Sequence, residues 1–380
     1  MAGKTVSDSV ASVFQFLLLK RHHRWLFLVL WMIFATPVQA ATELRVAIKK
    51  DVSQVKVGSS TTALVKDGAG RKLGEIVGMM AFSAQPSNSG VSLAQWRASQ
   101  LSIEPTEGGF VWIGDRWYRG RIRLVRQGKG VTAVDQLDLE QYLYSVVGAE
   151  AFPTWPQEAL KAQAVAARTY ALYQSTTSGN KLYDVDTTTQ TQVYKGLESE
   201  YLSTHDAVNA TEGKVLTYNG KAILAAFHSS SGGHTENVED VWNSRLPYLR
   251  GVIDYDQESP VFQWTKTFSA SQLGSLVAGV GTVKSMIPER TTPLGRILTM
   301  KVVGDRGTKD IKGTQLRQAL ELKSTLFTVA DENGTFQIYG RGYGHGIGLS
   351  QWGTYYLALQ GVDYQQILAH YYQNARLTNR

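Results

Sequence analysis

The sequence predicts an α+β fold, and three observations carry that prediction. Segments before residue 137 alternate apolar and polar residues with glycine punctuation, as strands do. From Leu137 onward apolar residues recur at three- and four-residue spacings, as on one face of a helix. Beyond Lys214 the alternation returns, and this mixture argues for α+β. The expected architecture is a β-rich amino-terminal part packed with a mixed helical and β region, with a cleft between them.

Taken in order, LRVAIKK (residues 44–50), GGFVWIG and YRGRIRLVRQG (residues 118–128) read as strands, whereas AFSAQPSNSGVS (residues 81–92) carries the Pro, Ser, Asn and Gly of a loop. LDLEQYLYSVV places Leu139, Tyr142, Leu143 and Val146 on one helical face. GAEAFPTWPQEALKAQAVAARTYA (residues 148–171) then sets Glu150 ahead of an alanine-rich helix that nothing breaks from Gln157 to Gln174. Its carboxyl group is expected at that helix's entrance. Pro156 suits a first helical turn, because its missing N–H has no partner there. Ala159, Ala162, Ala164, Ala166, Ala167 and Ala171 allow close backbone approach, so the helix is expected to be central and packed on several sides. A short helix over residues 199–211 stops at Gly213, strands return at KVLTYNG, KAILAAFHSS and TFQIYG, and a helix over residues 364–373 closes the chain.

The amino terminus has the layout of a secretory signal: Lys20, Arg21 and Arg24, then the apolar run WLFLVLWMIFA, then Val38-Gln39-Ala40 as a small-residue cleavage site. The apolar run is shorter than the roughly 20 residues a spanning helix needs. Cleavage after Ala40 is favoured over a retained anchor, and either way the protein is expected outside the cytoplasm, in periplasm or cell wall, with membrane contact only through this segment. The first 40 residues hold Lys4, Lys20, Arg21, Arg24 and a single acid, Asp8, so the formal charge of +7 falls to +4 beyond them. That excess suits an ordinary soluble surface or an anionic wall polymer. Nucleic acid is disfavoured by the export signal and the lack of a long basic run. The absence of cysteine removes disulfides, thiolate nucleophiles and thiolate metal sites together. The mature region shows no repeat and reads as one elaborated domain or two intimately packed parts.

Three segments look built for chemistry: the Glu150 region, FHSSSGGHTENVEDVW (residues 227–242) and GRGYGHGIGLSQWG (residues 340–353). In the last, glycine recurs at 340, 342, 344, 346 and 348, which lets another chain or a ligand approach the backbone; the spacing fits no nucleotide loop. On local sequence alone Glu150 reads more readily as a partner for a helix dipole than as a catalytic group. Lys161 and Arg168 share one face of the alanine-rich helix and Gln163 and Tyr170 another, so both pairs cannot line a cleft equally. His228 and His234 are spaced like two metal ligands but lack an obvious third and fourth, so no metal and no other cofactor is expected. Ser230 beside a histidine lacks the GxSxG elbow of a hydrolase triad.

Together, LEQYLYSVVGAE, WPQEALKAQAVAARTYA, SSSGGHTE with VW, PYLRGV, and GYGHGIGLSQWG followed by ILAHYY resemble the stage II sporulation protein D family, also called the SpoIID/LytB domain, over residues 44–377. The resemblance divides the chain into residues 1–40 as signal, 41–130 as the β-rich part of the domain and 131–380 as its catalytic core. It implies a peptidoglycan lytic transglycosylase acting on glycan strands stripped of their stem peptides, with the glutamate of the VVxxE motif, here Glu150, as catalytic acid. Some family members look metal-binding through cysteines in the second segment, and this chain has none. Peptidoglycan glycan strands are the implied partner, with an N-acetylmuramoyl-L-alanine amidase as a second. The LytB name carries the alternative of a non-catalytic amidase enhancer or a glycan-binding scaffold.

The chemistry is consistent with the implied role. A glycosidase that uses water needs two carboxyl groups about 5 to 9.5 Å apart, and only one acid stands out here. When the substrate's own C6 hydroxyl attacks, one carboxyl serves twice, first as acid and then as base. Such a residue needs a raised pKa, for which Phe152 and Trp155 are the expected apolar wall. His228, Ser229, Ser230 and His234 are expected to hydrogen-bond substrate, and His345 to contact substrate or orient Glu150 with Tyr343 and Gln351 beside it. Lys161, Gln163, Arg168 and Tyr170 are the supporting candidates from the helix. Trp242 and Trp352 read as sugar-stacking or core residues.

Overall fold

The computed structural model describes residues 42–188, 191–242 and 244–380; the expected signal, residues 1–40, lies outside them. The amino-terminal part is β-rich, as its alternation dictates. Glu43–Val52 pairs antiparallel with Gly130–Asp138, and a seven-stranded sheet runs on through Arg121–Gln127, Gln100–Pro105, Ala63–Asp67 and Lys72–Ile76, with Val185–Asp186 on the far edge. A six-stranded sheet is built around Val55–Ser59, Val111–Ile113 and Ala81–Ser87. Leu44, Val46, Leu101, Ile122 and Leu124 from the first sheet and Val57, Val91, Leu93 and Ile113 from the second are fully buried in one core.

Residues 81–92, whose composition is that of a loop, form a hairpin, Ala81–Ser87 with Gly90–Leu93. Burial of Ala84, Val91 and Leu93 outweighs the turn-forming residues, which collect at the hairpin tip. Pro86 is tolerated because it lies beyond the stretch of Ala81–Ser87 that pairs with Val55–Ser59.

Helix α1 (Leu139–Glu150) follows directly from the Gly130–Asp138 strand. The Asp138 carboxylate caps it, accepting from the N–H groups of Glu140 and Gln141, a device worth about 1 kcal/mol. Glu150 is therefore the last residue of α1 and not an entrance residue of the next helix. Helix α2 (Gln157–Thr177) is the alanine-rich one, and Pro156 sits at its N-cap, one position before the first turn. Leu160, Ala164, Ala167 and Ala171 of α2 face the β core and α1, while Ala162, Val165, Ala166 and Tyr170 face a second core with Leu349, Leu357, Ile367 and Tyr371. The helix is central because small side chains let both cores close on it. A larger residue at Ala164 or Ala166 would overpack by about 1 to 3 kcal/mol.

Helix α3 (Leu202–Ala210) precedes the strand Lys214–Tyr218, which pairs with Arg376–Asn379 at the carboxyl end. Short α4 (Val238–Trp242) follows the strand Phe227–His228. Residues 263–341 then form a region of which periodicity announced only the strand at TFQIYG, here Thr335–Arg341. Gln263–Ser269, Phe327–Glu332 and Thr335–Arg341 make one three-stranded sheet, and Val283–Thr291, Ile297–Gly304 and Thr308–Lys312 make another. Helices α5 (Ala270–Leu276) and α6 (Gly313–Ala319) contribute Leu273 and Leu316 to its core of Met300, Val302, Phe336 and Ile338. Helices α7 (Gln351–Leu359) and α8 (Tyr364–Tyr371) complete the fold. No helix among the described residues is long and apolar enough to cross a membrane.

Candidate active site

A cleft of about 450 Å³ opens beside the end of α1. Glu150, Tyr170, His228, Ser229, Tyr343, His345 and Gln351 all line it, so seven residues singled out from three distant segments meet in one place. Its walls come from residue 150 onward. The cleft is thus not between the β-rich part and the rest, as expected, because the amino-terminal sheets spend their apolar faces on a closed core.

Glu150 is held by its position and by one strong bond. At the carbonyl end of α1 the helix dipole opposes a negative charge. The backbone N–H of Val193 donates to Oε1 at 2.7 Å. Burial pushes the pKa above the ordinary carboxyl value, and the Val193 N–H, the Gln351 side chain and the charge of Lys195 only partly offset it. Gln351 is buried with its amide directed at the acid, too loosely for a well-formed hydrogen bond, and its Nε2 meets no other partner among the described residues. The apolar wall is not Phe152 and Trp155. Those two form an aromatic cluster with Trp352 outside the cleft, Phe152 being 57% exposed, and the wall is supplied by Tyr170, Leu224, Ala226, Phe227 and Trp242.

Two loops bring the histidines in. Phe227–His228 pairs in parallel with Leu349–Ser350, and Ser230 exchanges backbone bonds with Tyr343. Glycine is required where these loops cross. A Cβ on Gly344 would stand 2.6 Å from the His228 Cβ, and one on Gly346 would stand 2.2 Å from the guanidinium of buried Arg296. His345 receives the Ile347 N–H at Nδ1, 3.0 Å, so its Nε2–H donates to the Phe227 carbonyl at 3.0 Å. Its ring lies 5.1 Å from that of His228 and 4.9 Å from that of Trp242. Burial and the Arg296 charge push His345 down to about 3. His228 donates from Nδ1 to the Ile347 carbonyl, burial lowers its pKa as well, and its Nε2 is buried without a partner. Both rings are therefore neutral at pH 7, and His228 offers an unused acceptor.

The remaining candidates lie elsewhere. Arg168 is 1% exposed and structural: its guanidinium donates to both oxygens of Glu140 and to the carbonyls of Val208 and Lys214. Lys161 pairs with Glu158 one turn away, and Glu158 also accepts the N–H that starts α8. Gln163 is buried in α2 and does not reach the cleft, so of the two expected faces only Tyr170 contributes. Ser230 donates to Asp256, and His234 bridges to Ile253 away from the cleft; they position the loop. Among the described residues no group of three or more His, Asp or Glu side chains is placed to hold a metal ion. Sequence reading missed Thr191, Leu224, Ala226, Phe227 and Arg317 on the cleft wall. Phe227 adjoins His228 and was within reach of the motif. Arg317 was not, because QLRQAL in α6 reads as any surface helix.

Known proteins resemble this chain over much of its length. Residues 127–218, which span α1, α2 and α3, match the family described as Stage II sporulation protein, and residues 249–348 match a domain of unknown function. An uncharacterized protein of Brachyspira hyodysenteriae is 36% identical over 282 residues, covering 72% of this chain and 75% of that protein. Stage II sporulation protein D of Bacillus subtilis is 36% identical over 266 residues, 65% of this chain and 76% of that one. The amidase enhancer of Bacillus subtilis is 33% identical over 292 residues, 62% of this chain but 40% of its own length. The family match takes in α1 and α2 and, with them, Glu150. The chain belongs to the stage II sporulation protein D family.

Proposed function

We propose that the chain is an exported peptidoglycan lytic transglycosylase that cleaves the MurNAc to GlcNAc bond of stem-peptide-free glycan strands and leaves 1,6-anhydroMurNAc ends. Family membership and the match to an amidase enhancer support a role at the cell wall. The observation that carries the chemistry is that Glu150 is the single carboxylic acid lining the cleft among the described residues. Neutral histidines and the loosely held Gln351 amide line the cleft with it. Among the described residues the cleft lining offers no second carboxyl group for two-carboxylate hydrolysis.

In the proposed cycle, protonated Glu150 gives its proton to the glycosidic oxygen as the bond from C1 to that oxygen breaks. The carboxylate formed is held at Oε1 by the Val193 N–H. It then takes the proton of the C6 hydroxyl, whose oxygen bonds to C1 and closes the anhydro ring. Glu150 returns to its acid form, and no water is consumed. His228 Nε2 and the Gln351 amide are the supporting groups for sugar hydroxyl and acetamido contacts.

A second reading is carried by the amidase-enhancer match: a glycan binder that stimulates an N-acetylmuramoyl-L-alanine amidase without cutting. Incubating the purified protein with amidase-treated peptidoglycan separates the two. Soluble fragments one water lighter than hydrolysis products support the transglycosylase; binding with no product supports the enhancer. The basic, apolar, small-residue run of residues 20–40 supports export.

A further inference from the structure

Arg317 is the one Lys or Arg side chain on the cleft wall among the described residues. Its setting differs from that of three other buried or half-buried arginines. Arg168 is paired with Glu140, Arg250 with Glu239 and Arg296 lies against Glu236. Arg317 is half-buried, and no carboxylate lies within ion-pair distance among the described residues. Its Nε donates to the Leu322 carbonyl at 3.2 Å, which orients the guanidinium and leaves the terminal nitrogens for something else. Burial lowers its pKa, and its charge reaches both His228 and His345. A partly desolvated cation with no counter-ion is costly unless an anion arrives.

A glycan strand offers few anions. GlcNAc carries none, and the lactyl ether of MurNAc carries a carboxyl group that is tied up as an amide whenever a stem peptide is attached. We propose that Arg317 recognises the free lactyl carboxylate of MurNAc by a bidentate pair, and so makes this cleft selective for strands whose stem peptides have been removed. This rests on the reading of the cleft as a glycan site. On this assignment the region of unknown function, residues 249–348, serves the cleft by supplying Arg317 on α6. It supplies a physical cause for the preference for stripped strands that the family resemblance implies, because a strand with its stem attached presents a neutral amide to the guanidinium.

The test is binding of full-length protein to three strands: stem-free, stem-free with the lactyl carboxylates converted to methylamides, and stem-bearing. Glu150→Gln is used throughout so that binding is read without turnover, and wild-type cleavage is run alongside. We expect stem-free strands to bind at least about tenfold more tightly than the other two, with the ratio near one in Glu150→Gln/Arg317→Gln and partly retained with Arg317→Lys. Equal binding of methylamide strands, or a preference that survives Arg317→Gln, overturns the assignment. So does tight binding of stem-bearing strands, which would move recognition to the peptide. Cleavage without carboxylate preference overturns only the role of Arg317, whereas preference without cleavage overturns only the transglycosylase.

Discussion

The backbone N–H of Val193 holds Oε1 of Glu150 at 2.7 Å, and a glutamine at 150 presents a carbonyl oxygen to the same donor. Burial raises the Glu150 pKa in the folded state. Below the ordinary carboxyl range the group is protonated whether folded or not and carries no penalty. As pH rises through that range the unfolded chain ionises first, so wild type loses stability that Glu150→Gln keeps. We expect the variant to melt above wild type at pH 7, with the gap closing toward pH 4; equal melting at both pH values would contradict a raised pKa.

The same shift fixes the pH profile. A general acid works only while protonated, so kcat/KM should fall tenfold per pH unit above a midpoint higher than that of a free glutamate. His345, pushed down to about 3, contributes no limb between pH 5 and 8. A limb near 6.5 that disappears in His345→Gln would show that the histidine titrates in the reaction.

Arg168 and Lys161 looked alike in sequence and differ in the structure. Arg168→Ala strands Glu140 and the carbonyls of Val208 and Lys214, and should cost about 3 to 5 kcal/mol in denaturant unfolding. Lys161→Ala breaks a partly exposed pair within one turn and should cost less than about 1 kcal/mol with KM unchanged. A change of KM in the lysine variant would return that residue to the site.

Glycine spacing in the 340–353 segment is steric. Gly344→Ala drives a methyl against the His228 Cβ and Gly346→Ala drives one into Arg296, both at positive φ. Each should lower stability by several kcal/mol, on the order of an overpacked core plus left-handed strain, and abolish cleavage. Gly361→Ala is the control, with φ +83 and nothing within 4 Å of the added Cβ; it should cost about 1 to 2 kcal/mol and leave cleavage intact.

Legibility followed the physics of each segment. Helix α2 could be read because its unbroken Ala-rich run and flanking prolines speak locally, and its central place followed from side-chain size. The α+β class and the β-rich start followed from period two. Apart from TFQIYG, which is the strand Thr335–Arg341, residues 263–341 stayed opaque because strands such as Val283–Thr291 bury only Val283 and Met286 and so show no alternation. At the cleft, Glu150, His345 and Gln351 were legible through motifs, whereas Arg317 is defined by lining the cleft without a carboxylate partner, which only the fold reveals. Arg168 misled for the converse reason: its acid, Glu140, lies on another helix.

The most direct measurement of the proposed role is mass spectrometry of products from amidase-treated peptidoglycan with wild type and Glu150→Gln, both shown to be folded and to bind the strands. We expect anhydro-ended fragments from wild type, formed about 10² to 10⁴ times more slowly by the variant. Undiminished product from Glu150→Gln would contradict Glu150 as the acid, and reducing ends from wild type would contradict a transglycosylase.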